Sequence, residues 1–147
     1  GSGGGWWGGK FPSRAGGAKE HNMNTEPQIL LYNFTGDDRH RMIQRYLRRS
    51  GVSIRKVEAP EFLHPLGYLF GISGFSPDPR FNLGGNFRDE MMVMRNFTEE
   101  QTDRFLAFFQ EQNLEPVRLK AVLTPITEYW DSLKLYHELC REYKAMR

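Results

Sequence analysis

The chain has little of what builds covalent or metal-held frameworks. It contains one cysteine, Cys140, which excludes an intramolecular disulfide and a paired-cysteine redox or zinc motif. A reducing cytoplasm suits a chain without disulfides, so we expect a cytoplasmic protein. No apolar run approaches the roughly 20 residues that a membrane-spanning helix needs. We therefore expect no membrane partner.

Catalytic and metal-binding motifs are also missing from the sequence. None of the histidines has another histidine, a cysteine or an acid at the spacing of metal ligands; they are His21, His40, His64 and His137. The glycine-rich segment 82–86 lacks the Lys-Ser/Thr pair of a phosphate-binding loop. We predict neither a cofactor nor a metal, no catalytic residue, and a non-enzymatic protein.

The composition predicts one folded domain with a leader. Apolar residues make up 39% and aromatic residues 14% of the 147 residues, which is enough to fill a core. The net charge of +2 does not by itself indicate a polyanion as partner. Residues 1–27 are rich in glycine and are predicted to be a flexible leader or tag, and residues 28–147 a single α/β domain.

Short apolar runs bounded by polar residues predict four strands. They cover Gln28–Phe34, Val52–Val57, Glu90–Phe97 and Val117–Leu123. An amphipathic helix is predicted between the first two strands and another between the last two. In the second helix, Thr98 and Gln101 have the spacing of a capping box.

The two halves of the domain resemble each other. Asn33-Phe34-Thr35 aligns with Asn96-Phe97-Thr98 without a gap, at the corner between strand and helix. Further on, Arg55 aligns with Arg118 and, after a short insertion, Pro60 with Pro125. We predict an α/β (α+β) fold of duplicated β-α-β units, residues 28–60 and 90–125, forming one four-stranded sheet covered by helices. A tight return between the units favours an antiparallel, ferredoxin-like sheet, whereas a helical crossover would leave parallel pairing.

Two further segments complete the predicted domain. Residues 61–89 form a loop-rich insert with a short helix near Pro65. Residues 126–146 are predicted to form a C-terminal helix, capped at Thr124 or Thr127 and buried along a stripe that begins at Tyr129.

Polar residues at the ends of strands are the candidate ligand or partner site. Helix N-termini expose backbone amides that bind anions. Capping and packing explain Thr124, Thr127 and Trp130 adequately without a ligand, and this structural interpretation is the preferred one for them. The candidates are Asn33, Asn96, Thr124, Thr127 and Trp130.

Basic residues cluster between Arg39 and Lys56, and such a cluster could contact phosphates. A solvated helix face is the alternative interpretation. The candidates on the helix are Arg41, Arg45, Arg48 and Arg49.

The run Lys120-Ala-Val-Leu-Thr-Pro-Ile-Thr-Glu-Tyr-Trp130, followed by Leu135-Tyr-His-Glu-Leu139, resembles a family of small bacterial proteins that is defined only as a domain of unknown function. The family pattern has asparagine where this chain has Thr127. The resemblance implies kinship without an activity.

Three functional hypotheses follow. The first is a small binding or regulatory module whose partner is a protein or a small ligand. The second is an RNA- or other nucleic-acid-binding protein that uses the face Arg39–Lys56. The third is an enzyme with its site at the corner Thr124–Trp130.

Overall fold

The computed structural model describes residues 25–145 except 81, 83 and 85, so most of the predicted leader lies outside the described residues. The fold is α+β, with one four-stranded mixed sheet and four helices. The strands are β1 Gln28–Tyr32, β2 Ser53–Val57, β3 Met91–Arg95 and β4 Leu119–Val122. The helices are α1 Asp38–Arg49, α2 Leu66–Leu69, α3 Glu99–Glu111 and α4 Ser132–Ala145, and short 3-10 turns cover Ala59–Glu61 and Thr127–Tyr129.

The sheet has the order β2-β1-β3-β4. β1 pairs with β2, and β3 with β4, in parallel, whereas the central strands β1 and β3 are antiparallel. The expected antiparallel, ferredoxin-like sheet is therefore wrong in its pairing. Helices α1 and α3 each connect two strands that are neighbours in the sheet. This short crossover makes the pairing within each β-α-β unit parallel.

Helices cover both faces of the sheet. Ile29 and Leu31 of β1 face α1 and α3, where they pack with Ile43 and Phe105. Leu30 on the opposite face packs in the cluster that contains α2 and α4. Burial on both faces explains why β1, β3 and β4 are almost continuously apolar rather than alternating.

Helices α1 and α3, which pack on the same face of the sheet, end in the same way. Val52 donates its N–H to the carbonyl of Leu47, and Leu114 donates to that of Phe109, which is the six-to-one hydrogen bond of a Schellman motif. The required left-handed residue before each donor is Gly51 in one case and Asn113 in the other. The predicted capping box at Thr98 is confirmed, with both of its hydrogen bonds present.

The connection from helix to strand differs between the two halves. Three residues, 50–52, join α1 to β2, and seven residues, 112–118, join α3 to β4. Leu30 pairs with Arg55, and Val93, the corresponding residue of β3, pairs with Ala121. The alignment of Arg55 with Arg118 is therefore wrong, because it ignored the longer second connection.

The C-terminal helix begins six residues later than the predicted 126. Thr124 and Thr127 cap each other reciprocally around the 3-10 turn. Trp130 is extended, and Asp131 bridges to Pro65 and accepts the N–H of Lys134, which caps α4. The buried stripe is consequently built on Leu135 and Leu139, whereas Tyr129 is 73% exposed.

Candidate functional site

A groove runs along the outer edge of β4, between the C-terminal ends of α3 and α4. Its volume is about 570 Å³. Most of the lining is apolar, and the lining residues are Met92, Leu106, Phe109, Gln110, Leu114, Pro116, Val117, Arg118, Leu119, Lys120, Leu139, Glu142 and Tyr143. Grooves of this volume with a few polar groups are typical of small-molecule sites.

The longer connection 112–118 builds one wall of the groove. Two residues after the end of α3, Asn113 has φ 57°, and the chain turns so that Leu114 and the buried Val117 pack against the cluster beneath α3. The corresponding connection after α1 has only three residues. The groove therefore exists beside β4 because the chain there is four residues longer.

Lys120 is the unusual residue of the groove. It lies on an edge strand and is only 4% exposed. Its Nζ donates a hydrogen bond to the carbonyl of Val117. Lysine is almost never fully buried unless it is paired, because a buried ammonium loses its hydration. Burial accordingly lowers the pKa of Lys120 from 10.5 to about 8.

A second, polar cleft of about 360 Å³ adjoins the groove. The two share Pro116, Arg118, Leu119 and Tyr143. The cleft adds the charged groups Arg39, Asp89, Glu90, Glu115 and Lys144. Together they form an elongated site whose one end is apolar and whose other end is charged.

An ion-paired cluster forms the floor of the polar cleft. Arg39 binds both carboxylate oxygens of Glu90, at 2.6 and 2.9 Å. The Nδ1 atom of buried His40 accepts the backbone N–H of Thr35 at 2.9 Å, so its Nε2 carries the proton and donates to Glu90 at 2.5 Å. Burial acts to raise the pKa of Glu90, but the hydrogen bonds from Arg39 and His40 outweigh it and lower that pKa. Glu90 is thus held as a carboxylate by two donors.

Arg118 stands between the groove and the cleft. It is exposed, and its guanidinium carbon lies 5.9 Å from the centre of the Tyr143 ring. This contact orients the guanidinium along the rim, where it can meet the polar end of a bound molecule.

The predicted corner residues do not form one site. Asn33 follows β1 and Asn96 follows β3. Because these two central strands are antiparallel, the two asparagines lie at opposite ends of the strands. Both have a left-handed backbone, with φ 64° and 66°. Asn33 donates to the carbonyls of Phe87 and Asp89, and Asn96 donates to that of Glu26. These hydrogen bonds connect the asparagine after each central strand to the segment that precedes the other central strand.

The remaining corner residues lie at the end of β4. The hydroxyls of Thr124 and Thr127 are 3.1 Å apart and bond to each other's backbone N–H groups. Trp130 is half-buried against the core, with Nζ of Lys134 4.8 Å from its ring. A ligand role for these residues stays a prediction.

The structure brings the basic residues of α1 to one exposed face. Arg41, Arg45, Arg48 and Arg49 are all exposed. Tyr46 is stacked on Phe105 and Phe108 beneath this face. Its ring is therefore engaged in packing.

Sequence reasoning missed the groove and the burial of Lys120 on its wall. The sequence feature that could have indicated the site is a lysine inside the apolar run 117–123, where burying a charged side chain costs free energy. The groove itself joins residues from α3, β4 and α4, and their proximity depends on the pairing of β4 with β3 and on the place where α4 begins.

No helix among residues 25–145 is long and apolar enough to cross a membrane. No group of three or more His, Cys, Asp or Glu in the described part of the chain is placed to hold a metal ion.

Residues 90–146 match the model of a domain of unknown function, DUF3783. The matched segment begins just before β3 and extends through α4, so it contains one complete β-α-β unit, the following helix and the residues of β4 and α4 that line the groove. No match to the chain was found among curated proteins or among solved structures.

Proposed function

We propose that the protein is a non-enzymatic binding module for a small amphipathic acid, held in the groove beside β4. The observation that carries the proposal is Lys120, a buried amine on the wall of a largely apolar groove of about 570 Å³. The groove supplies apolar surface for burial together with two positive charges, those of Lys120 and Arg118, and an amphipathic acid needs both features.

The buried amine favours an anionic ligand. Desolvation weakens the charged form of Lys120, and a carboxylate placed near Nζ would offset this cost by adding a negative charge beside the ammonium group. The ligand would thereby raise the pKa of Lys120 towards its ordinary value. A neutral ligand has no such effect.

The walls of the groove favour an apolar body on the ligand. Leu106, Phe109 and Leu114 from α3 and its connection face Leu139 from α4 across the site. Burying apolar surface contributes roughly 25 cal/mol per Å². A short aliphatic or aromatic chain that carries a carboxylate combines both requirements.

The enzyme hypothesis finds less support at its predicted position. At the corner Thr124–Trp130, the two threonine hydroxyls are engaged with each other and with the backbone. This arrangement explains them as structural caps, so the ligand-binding hypothesis is preferred over the enzyme hypothesis.

Titration calorimetry with octanoate and its neutral analogue octanamide tests the proposal. Octanoate should bind at a pH below about 8, and the substitution Lys120→Met should weaken it about tenfold or more, as expected for loss of a charge-assisted hydrogen bond. Octanamide should bind more weakly and respond little to that substitution. Lys134→Met, at an exposed lysine, is the matched control and should leave octanoate binding unchanged. Equal effects of Lys120→Met on both compounds, or binding of neither, would contradict the proposal.

We also infer that the two halves of the domain arose by duplication. Leu30 and Val93, each the third residue of its strand, pair with each other across the centre of the sheet. Pro65 and Asp131, each immediately before α2 or α4, bridge in the same manner. Both pairings are what a two-fold axis relating the halves would give, and the matched family segment covers one half, which supports the inference.

The fragment 86–147 provides a test of the duplication. If each half descends from a self-associating unit, the isolated fragment should form a symmetric dimer in which Val93 faces Val93. Sedimentation analysis would detect it. A folded monomer would contradict the inference.

A further inference from the structure

The structure divides seven basic side chains between residues 39 and 56 into two groups. Three are in ion pairs: Arg39 with Glu90, Arg41 with Asp38, and Arg55 with Glu61. The other four have no ion pair within the described part of the chain, and they are Arg45, Arg48, Arg49 and Lys56. All four are exposed. The sequence contains no acidic residue between 39 and 56 that could neutralise them locally.

Three of these four cations form a row on α1. Arg45, Arg48 and Arg49 are three and four residues apart, so they project from one side of the helix. From Arg45 to Arg49 the row spans about 6 Å along the helix axis at 1.5 Å per residue. Lys56 is on the face of the sheet that α1 covers, because it alternates with Arg55 and lies two residues after Ile54, which packs in the α1 cluster. The three arginines therefore form a local basic surface on α1, and Lys56 adds an exposed cation on the strand that follows this helix, although the net charge of the chain is only +2.

The aromatic side chains near these cations indicate which kind of polyanion the face suits. Single-stranded nucleic acids are held by stacking of bases on aromatic side chains. Tyr46, the aromatic residue of α1, is occupied by ring contacts of 5.6 and 4.5 Å with Phe105 and Phe108. A protein face that contacts only the phosphate backbone suits a duplex, because a duplex carries one charge per about 1.7 Å of its axis.

A membrane surface fits this face less well. Helices that bind at the lipid interface insert an apolar face next to their basic residues. The apolar residues Ile43 and Leu47 of α1 are fully buried against the sheet.

We propose that the face formed by Arg45, Arg48, Arg49 and Lys56 binds the phosphate backbone of double-stranded nucleic acid without reading its sequence. This surface is separate from the groove beside β4. It lies on α1 and the outer strand β2, at the opposite end of the sheet order.

Fluorescence anisotropy with a labelled DNA duplex of mixed sequence tests the proposal. The logarithm of the binding constant should fall with the logarithm of salt concentration with a slope of about −3 to −4, as expected for four phosphate contacts. The triple substitution R45Q/R48Q/R49Q should weaken binding about a hundredfold at low salt and reduce the slope to about −1. Neutralisation to glutamine is preferred to charge reversal because Arg48 and Arg49 lie in the last turn of α1, where acids would oppose the helix dipole.

The control variant R104Q/K134Q/R141Q removes the same charge from exposed positions on α3 and α4. It should change affinity less than about threefold, since long-range charge is screened. Thermal unfolding of both variants monitors folding, and the single variant R48Q, expected to lower the slope by about one, provides the test if the triple variant is unfolded.

Three results would overturn the proposal. The first is equal loss of binding in the two triple variants. The second is tighter binding of single-stranded DNA of the same sequence than of the duplex. The third is binding to vesicles containing phosphatidylserine through the same three arginines without binding to the duplex.

Discussion

The hydroxyls of Tyr32 and Ser132, one hundred residues apart in the chain, lie 2.6 Å apart in the fully buried core. Their hydrogen bond joins central strand β1 to the first turn of α4. Burial raises the pKa of Tyr32 although the bond to Ser132 opposes this effect. The bond fixes the position at which α4 meets the sheet, and α4 in turn supplies one wall of the groove.

Removing either hydroxyl should therefore destabilise the protein. Tyr32→Phe or Ser132→Ala each leaves a buried hydroxyl without its partner, so each should cost about 1–3 kcal/mol. The double variant should cost less than the two single effects added, and urea denaturation of all four proteins measures the difference. Additive effects would show that the bond does not couple the two residues.

Glu90→Gln tests the ionic cluster in the polar cleft. Because the folded-state pKa of Glu90 is lowered, its carboxylate contributes stability above its ordinary value of 4.5, and this contribution is lost as the pH falls through the folded pKa. At neutral pH the substitution should cost about 1.5–3 kcal/mol, and the cost should shrink in acid. Glu100→Gln, at an exposed pair with Arg104, should cost less than about 0.5 kcal/mol at either pH. A penalty for Glu90→Gln that does not depend on pH would contradict this assignment.

Lys120→Met should reveal the stability cost of the buried amine. Between pH 8 and pH 10.5 the unfolded chain holds a proton on Lys120 that the folded chain has released. Stability of the wild type relative to Lys120→Met should therefore rise with pH across this interval, by up to about 3 kcal/mol. Below pH 8 the variant should be the more stable protein. Denaturant unfolding at several pH values measures this, and a difference that is flat with pH would contradict the burial of a charged amine.

Gly67 determines how the segment after α2 packs. A Cβ atom at this position would lie 2.6 Å from two ring carbons of Phe75, whose ring centre is 5.0 Å from that of Tyr129. Gly67→Ala should displace Phe75 and cost about 1–3 kcal/mol. Gly84→Ala, where a Cβ meets nothing within 4 Å, should stay within about 0.5 kcal/mol of wild type. In a Phe75→Ala background the cost of Gly67→Ala should largely disappear; persistence of the full cost would place the strain elsewhere.

Much of the fold could be predicted because its local signals agree with the tertiary structure. The apolar runs at β1 and β3 are buried on both faces, and the capping box at Thr98 begins α3 as expected. The corners at Asn33 and Asn96 are both left-handed, a conformation that asparagine tolerates better than most residues.

The errors arose where long-range contacts decide local structure. The strand order places β2 beside β1 and β4 beside β3 in parallel, and it depends on contacts between distant segments that the sequence does not show. Likewise, Thr124-Pro125 has the pattern of a helix start, but the bridge between Asp131 and Pro65 moves the start of α4 to Ser132. The groove depends on both outcomes, which explains why only Lys120, a charge in an apolar run, could have indicated it.

The binding site of octanoate can be mapped most directly by ¹H–¹⁵N chemical-shift changes on the full chain. We expect saturable shifts concentrated in segments 106–110, 114–120 and 139–143, which line the groove, and we expect these shifts to be lost in Lys120→Met but not in Lys134→Met. Shifts that cluster instead at 124–130 or on α1, with segments 106–120 unaffected, would contradict binding in the groove beside β4.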